Sequence, residues 1–182
     1  MAMDWIEKLV ESWTREEPTV NFASVPAMIR LARLGTLFEI FQHDVLEPFE
    51  LTPGDYAVLA VLATHHRSGQ PGALNPSRLH GQLRRSSGGM TKIMKRLEGA
   101  ELIERTRDPE DGRGMLVTLT PRGLALHDRV FRAFGAASSR LLAPLSGEEQ
   151  AELNRALKRT LDTLDAFEAS GSRSRESRSS TT

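Results

Sequence analysis

Cysteine is absent from the chain. That excludes disulfides, thiolate nucleophiles, cysteine-based metal sites and cysteine redox sensing in one step. Long apolar runs are missing too. The longest, Tyr56 to Ala63, is far below the roughly 20 residues a membrane helix needs. The opening stretch MAMDWIEKLVESW is acidic and amphipathic and has no apolar signal core. A soluble, cytoplasmic protein is expected. No excess of either charge exists, with 24 Lys+Arg against 24 Asp+Glu. Any argument for a polyanionic partner must therefore rest on how charge is distributed. No nucleophile–base arrangement appears, and Gly88-Gly89 opens a helix without fitting a phosphate-cradling pattern. An enzyme is the reading the sequence supports least, and no cofactor is expected.

One local absence points somewhere. From Tyr56 to Leu97 there is no Asp or Glu, while Arg67, Arg78, Arg84, Arg85, Lys92, Lys95 and Arg96 all fall there. The first seventeen residues do the reverse, with Asp4, Glu7, Glu11, Glu16 and Glu17 against Lys8 and Arg15. A neutral protein built this way can present one basic face to a polyanion. Ordinary solvated helix faces are the competing explanation.

The chain reads as a series of helices punctuated by caps. Asp4 to Glu16 has Trp5, Leu9 and Trp13 on one side. Val25 to Val45 carries the stripe Leu31, Leu34, Phe38, Phe41 and Val45, and Pro48 stops it. Thr52-Pro53 opens a helix that is apolar nearly all round and hence central. Arg67 to Gly72 is loop. Asn75-Pro76 opens a short helix to about Leu83, and Ser86 caps the next, to about Gly99, where a C-terminal glycine belongs. Leu102–Thr106 and Met115–Leu119 are strands, with Pro109, Gly112 and Gly114 as turn residues. Thr120-Pro121 starts a helix to about Leu142. Ser146 and Glu149 form a capping box for a last helix striped by Leu153, Leu157, Leu161, Leu164 and Phe167. The Ser/Arg-rich stretch from Ser170 is low-complexity, cannot pack and is expected to be disordered.

The helices around Pro76–Leu83 and Ser87–Gly99 have the lengths of a helix-turn-helix. On the second, Met90, Ile93, Met94 and Leu97 share one face, which must be core. Gly88, Thr91, Lys92 and Lys95 share the opposite face. Small residues there allow close approach to base edges, and the lysines can reach guanine acceptors or phosphates. Arg84, Arg85, Ser86 and Ser87 lie where backbone phosphates pass, and Arg78 can add to them. In the hairpin, Asp111 can hold Arg113 extended for insertion into a minor groove, with Arg107 at the loop's entry. A surface helix and a local Asp–Arg pair are the bland alternatives. His65, His66 and His80 lack Cys, Asp or Glu nearby, so they read as helix-end histidines and no metal is expected.

The segment SSGGMTKIMKRLEGAELIERTRDPEDGRGMLVTLTPRG resembles the winged helix-turn-helix core of the MarR family of bacterial transcription regulators. The RLE…LIER junction, the D-P-x-D-x-R-G wing and the L-T-P-x-G exit carry the likeness, which runs from about Ser24 to Phe167. Where family wings often have D-x-R or D-R-R, Gly112 leaves a single arginine before Gly114. The resemblance implies a mainly α fold with a small β-hairpin wing, a winged helix-turn-helix plus a helical dimerisation region, and an obligate homodimer. Val25, Ile29, Leu142, Leu153, Leu157, Leu161 and Leu164 would form the dimer interface. The implied division is an extra N-terminal helix (1–20), a dimerisation helix (21–50), a DNA-binding lobe (51–120), C-terminal dimerisation helices (121–168) and a tail (169–182).

VESWTREEP followed by a long helix is similar to the urate-responsive, PecS- and TamR-like branch of that family. Trp13 matches its ligand-site tryptophan; a packing anchor is the equal alternative. The branch's acid in G-E-F-D-V-L is Ala57 here, and its long-helix histidine is Ala32, beside Arg33. The implied effector is therefore a small aromatic or anionic molecule near Trp13, Arg33 and Tyr56, not fixed as urate. The expected protein is a repressor that binds a pseudo-palindromic operator on double-stranded DNA and is released by that effector. A constitutive regulator and a winged-helix protein-interaction module are the alternatives.

Overall fold

The computed structural model describes residues 4–68, 73–83, 87–108 and 114–179, with Ser87 and residues 171–179 as backbone only. It divides into two compact units, Met1–Phe134 and Gly135–Thr182. In order, the elements are α1 (Trp5–Glu16), α2 (Val25–Leu46), a 3-10 turn (Glu47–Phe49), α3 (Pro53–Arg67), α4 (Pro76–Leu83), α5 (Ser87–Gly99), β1 (Ile103–Arg107), β2 (Met115–Leu119), α6 (Pro121–Leu142) and α7 (Gly147–Ser179).

Local chemistry sets most of these boundaries. The Asp4 side chain accepts the Ile6 and Glu7 N–H groups, and Glu7 returns a bond to the Asp4 N–H, closing a capping box. Arg30 of α2 pairs with both acids and docks α1. The Glu7 N–H and then the Arg30 guanidinium hold the Asp4 carboxyl below the usual carboxylate range. Ile6 is the buried residue of α1, and Trp13 packs against Phe22 with ring centroids 6.0 Å apart.

As its all-round apolarity requires, α3 is central, with Val58, Leu59, Leu62 and Ala63 all at 0% exposure. Each such leucine contributes about 2 kcal/mol relative to leaving it in water. α4, α5 and β2 pack around it through Leu79, Met90, Met94, Leu97 and Val117. On α2 only Leu46 is buried, and Leu34 and Phe38 are about half exposed, so this unit does not cover the stripe.

The hairpin is antiparallel, with Ile103 opposite Leu119 and Arg107 opposite Met115. Its middle has a support with no strand periodicity to announce it. Leu74, just before α4, exchanges both backbone bonds with Val117 at 3.0 and 2.9 Å.

Two sequence expectations change. α5 ends at Gly99 as expected, but Gly99 is not the residue that turns the chain. The left-handed turn that ends the helix falls at Glu101, φ 57, where the Leu102 N–H reaches the Leu97 carbonyl at 2.9 Å. A terminating turn needs positive φ, which favours glycine without requiring it. At the other end, α7 continues as helical backbone through Ser179, past the expected break at Ser170. No proline stands in that stretch to stop it.

In the second unit, Ser146 and Glu149 make the expected capping box, at 2.7 and 3.2 Å. Gln150 Nε2 donates to the Leu142 and Leu145 carbonyls, satisfying the end of α6. The two Ser146 bonds, backbone first, lower the Glu149 carboxyl.

Candidate nucleic-acid interface

The helix α5 splits into two faces as its wheel requires. Met90, Ile93, Met94 and Leu97 are buried, at 7% exposure or less. Gly88, Thr91, Lys92 and Lys95 are exposed on the other side. No carboxylate shares that outer face. The helix's one acid, Glu98, turns to β1, with its Oε2 3.2 Å from Arg105 Nε. That N–H is buried and lacks hydrogen-bond geometry, so the contact is electrostatic.

Ahead of α5, the Asn75 side chain caps α4 by accepting the Arg78 N–H at 2.8 Å, and the Arg78 side chain is exposed. Beyond α5, Arg107 is exposed at the last paired position of β1, and the Asp108 N–H bonds Gly114 O at 2.9 Å to close the ladder. Arg84, Arg85, Ser86, Asp111 and Arg113 lie outside the described residues, as does the Ser87 side chain. The turn and the wing tip are thus located by their flanks alone.

A link that the sequence reading missed ties α5 to α3. The Asp55 carboxylate, 1% exposed, accepts the Thr52 N–H at 2.8 Å and the Thr52 hydroxyl at 2.7 Å. It also accepts Arg96 Nε at 3.0 Å and Arg96 Nη2 at 2.6 Å. Arg96 Nη2 lies 3.2 Å from Thr52 Oγ1 as well. The capping box that starts α3 therefore also clamps the last turn of α5. The T-x-x-D spacing of Thr52 and Asp55 was readable as a cap; its long-range partner was not.

The three residues expected around an effector are placed separately. Trp13 sits on Phe22, Arg33 is exposed on α2, and Tyr56 stacks between His127 and Phe134 of α6, at 5.8 and 6.0 Å. No ring contact, hydrogen bond or ion pair among the described residues joins any two of them. Burial raises the Tyr56 phenol above its ordinary value. Nearby, the His127 ring and then Arg67 lower the Asp128 carboxyl, with His127 Nδ1 3.1 Å from Asp128 Oδ1. Among the described residues no three His, Cys, Asp or Glu side chains gather as a metal site. No helix of the described residues is long and apolar enough to cross a membrane.

Two short helices braced on a hairpin, with a basic and acid-free outer face on the second helix, define a winged helix-turn-helix regulator. Residues 51–115 match the MarR family. The chain is 27% identical over 154 residues to the HTH-type transcriptional regulator PecS of Dickeya dadantii, covering 85% of this chain and 91% of that one. It is 32% identical over 120 residues to the organic hydroperoxide resistance transcriptional regulator of Bacillus subtilis, covering 66% and 76%. The fold superposes on a mutant MarR from E. coli complexed with operator DNA at TM-score 0.64 and 25% identity, covering 79% and 99%. The chain belongs to the MarR family. Members of that family are transcription regulators and not enzymes.

Proposed function

We propose that this protein is a homodimeric repressor that binds a pseudo-palindromic operator. The outer face of α5 carries the proposal: Gly88, Thr91, Lys92 and Lys95 are exposed together, opposite a fully buried core face. Thr91, Lys92 and Lys95 meet base edges and phosphates in the major groove. Arg78, Arg84, Arg85, Ser86 and Ser87 meet the backbone, and Gly88 allows the helix start to come close. Arg113, held by Asp111 and flanked by Arg107, enters the adjacent minor groove. The related E. coli MarR, solved in complex with operator DNA, supports DNA as the partner.

Two-fold symmetry places half-sites about one helical turn apart. The dimer is assembled from α2, through Val25 and Ile29, and from the C-terminal helices, through Leu142, Leu153, Leu157, Leu161 and Leu164. A small aromatic or anionic effector acting near Trp13, Arg33 and Tyr56 releases the DNA by stabilising a DNA-incompetent spacing of the two α5 helices. Trp13 emission during a metabolite titration follows that step. A DNA affinity that no metabolite changes would make the protein a constitutive regulator.

A mobility-shift titration tests the DNA reading. Binding should weaken steeply with salt, and Lys95→Ala should lower the salt slope by about 1. Arg113→Ala should reduce affinity about tenfold, the equivalent of about 1.4 kcal/mol. Binding indifferent to both salt and Arg113 would refute the proposal.

A further inference from the structure

Tyr56 meets one side of α6, through His127 and Phe134. The opposite side of that helix, carrying Arg122, Leu126 and Arg129, closes a cavity of about 470 Å³. Its other walls are the 3-10 turn at Phe49 with Glu50 just after it, the start of α3 at Asp55, and the last turn of α5 at Arg96 and Leu97. The volume lies within the roughly 300–1,000 Å³ of small-molecule sites. Leu126, Ala100 and Ala125 line it together with the buried Leu51, Leu97 and Leu102.

The charges in the walls are unequally engaged. Asp55 is saturated by Thr52 and Arg96. Arg122 is held by Glu101 at 3.3 Å, with both side chains mostly in solvent, where such a pair is weak. Arg129 makes no hydrogen bond or ion pair with any described residue. Its guanidinium lies 5.5 Å from the centroid of the Phe49 ring. Asp55 balances Arg96 and Glu101 balances Arg122, so Arg129 is the guanidinium left to meet an anion, with Glu50 also in the lining. Phe49 is the ring among the lining residues and Arg129 already covers it, so the remaining apolar surface is aliphatic. Glu50 marks the rim with φ 56, a conformation that costs a non-glycine residue energy and gathers at ligand clamps.

We propose that this cavity binds a small aliphatic carboxylic acid, its carboxylate on Arg129 and its chain among the leucines. Arg129 offers a planar pair of donors that matches a carboxylate. Because Arg96 and Leu97 belong to the last turn of α5, occupancy alters the grip of Asp55 on that helix and so changes DNA affinity. This last step rests on the DNA-binding function proposed above; the binding step does not.

The full chain is titrated with hexanoate, hexyl phosphate and hexylammonium while backbone amide resonances are followed by NMR. Hexanoate should shift Leu97, Ala100 and Leu126, hexyl phosphate should bind more weakly, and hexylammonium should leave these resonances in place. Arg129→Met, an exposed position on α6, should weaken hexanoate about tenfold without disturbing the rest of the spectrum. Equal binding by the variant, tighter binding of the phosphate, binding of the amine, or no shifts at the cavity would each overturn the site. Mobility shifts with and without hexanoate then read the coupling. A change in operator affinity in the parent but not in Arg129→Met supports it, and equal affinities refute it. Cavity shifts in a protein that binds no DNA at all would leave the site standing and remove the DNA-binding reading instead.

Discussion

At the scale of single residues, Gly123 explains why the L-T-P-x-G exit from the wing has the form it does. A Cβ at this position would stand 1.9 Å from the Leu102 carbonyl oxygen, and the obstacle is backbone, not a side chain that can swing away. The approach is this close because Thr120 stitches the two segments together. Its N–H bonds Leu102 O at 3.1 Å, its hydroxyl bonds Glu101 O at 2.7 Å, and that same hydroxyl accepts the Gly123 N–H at 3.0 Å. Gly123→Ala must push α6 off the start of β1 and break this set, at a cost of about 3 kcal/mol. The denaturant midpoint should fall with little change in slope. Gly135→Ala, with nothing within 4 Å of its added carbon, should instead gain about 0.5–1 kcal/mol. A Gly123→Ala chain as stable as its parent would mean that the junction has slack.

Between elements, the decisive contact is the clamp of Asp55 on Arg96. Arg96→Ala would leave a carboxylate at 1% exposure with only Thr52 to satisfy it. Losing one partner of a fully buried pair costs about 3–5 kcal/mol, and the half-exposed guanidinium here reduces that to about 2–3 kcal/mol. Chemical denaturation measures the loss, and replacing Asp55 as well, by Leu, should recover part of it. No recovery in the double variant would show that the destabilisation does not come from a stranded charge. This contact also shows where sequence reading ends. Helix starts at Thr52-Pro53, Asn75-Pro76, Thr120-Pro121 and Ser146 were legible because a cap acts within three residues of itself. The two faces of α5 were legible because helical periodicity is local. Asp55 and Arg96 are 41 residues apart, and no periodicity connects them. The Leu74 bridge to Val117 was invisible for a related reason, since a single paired residue has no alternation to detect. The end of α5 at Gly99 was legible, but the turning residue was not, because Glu101 adopts the left-handed conformation without being glycine.

At the scale of the whole molecule, apolar side chains that this chain leaves in solvent fit the second copy proposed above. On α2, Met28, Leu34, Leu37, Phe38 and Ile40 are each about half exposed. On α7, Leu157, Leu161, Leu164 and Phe167 range from 37% to 76% exposed. Scattered apolar residues on a surface need no explanation, but stripes at helical spacing on long helices mark interaction faces. In the proposed dimer their apolar character suits an obligate interface, which resembles a domain core cut in half. Leu161→Asp puts a carboxylate in the α7 stripe, at 60% exposure in the single chain, so it leaves the DNA-binding lobe intact. In sedimentation equilibrium the parent should run as a dimer and the variant as a monomer, with unchanged backbone amide resonances in the lobe. Operator affinity should fall together with the dimer, because one α5 engages one half-site and the second no longer follows at high local concentration. A Leu161→Asp chain that stays dimeric would remove α7 from the interface, and a monomeric parent that still binds a two-fold operator tightly would remove the dimer altogether.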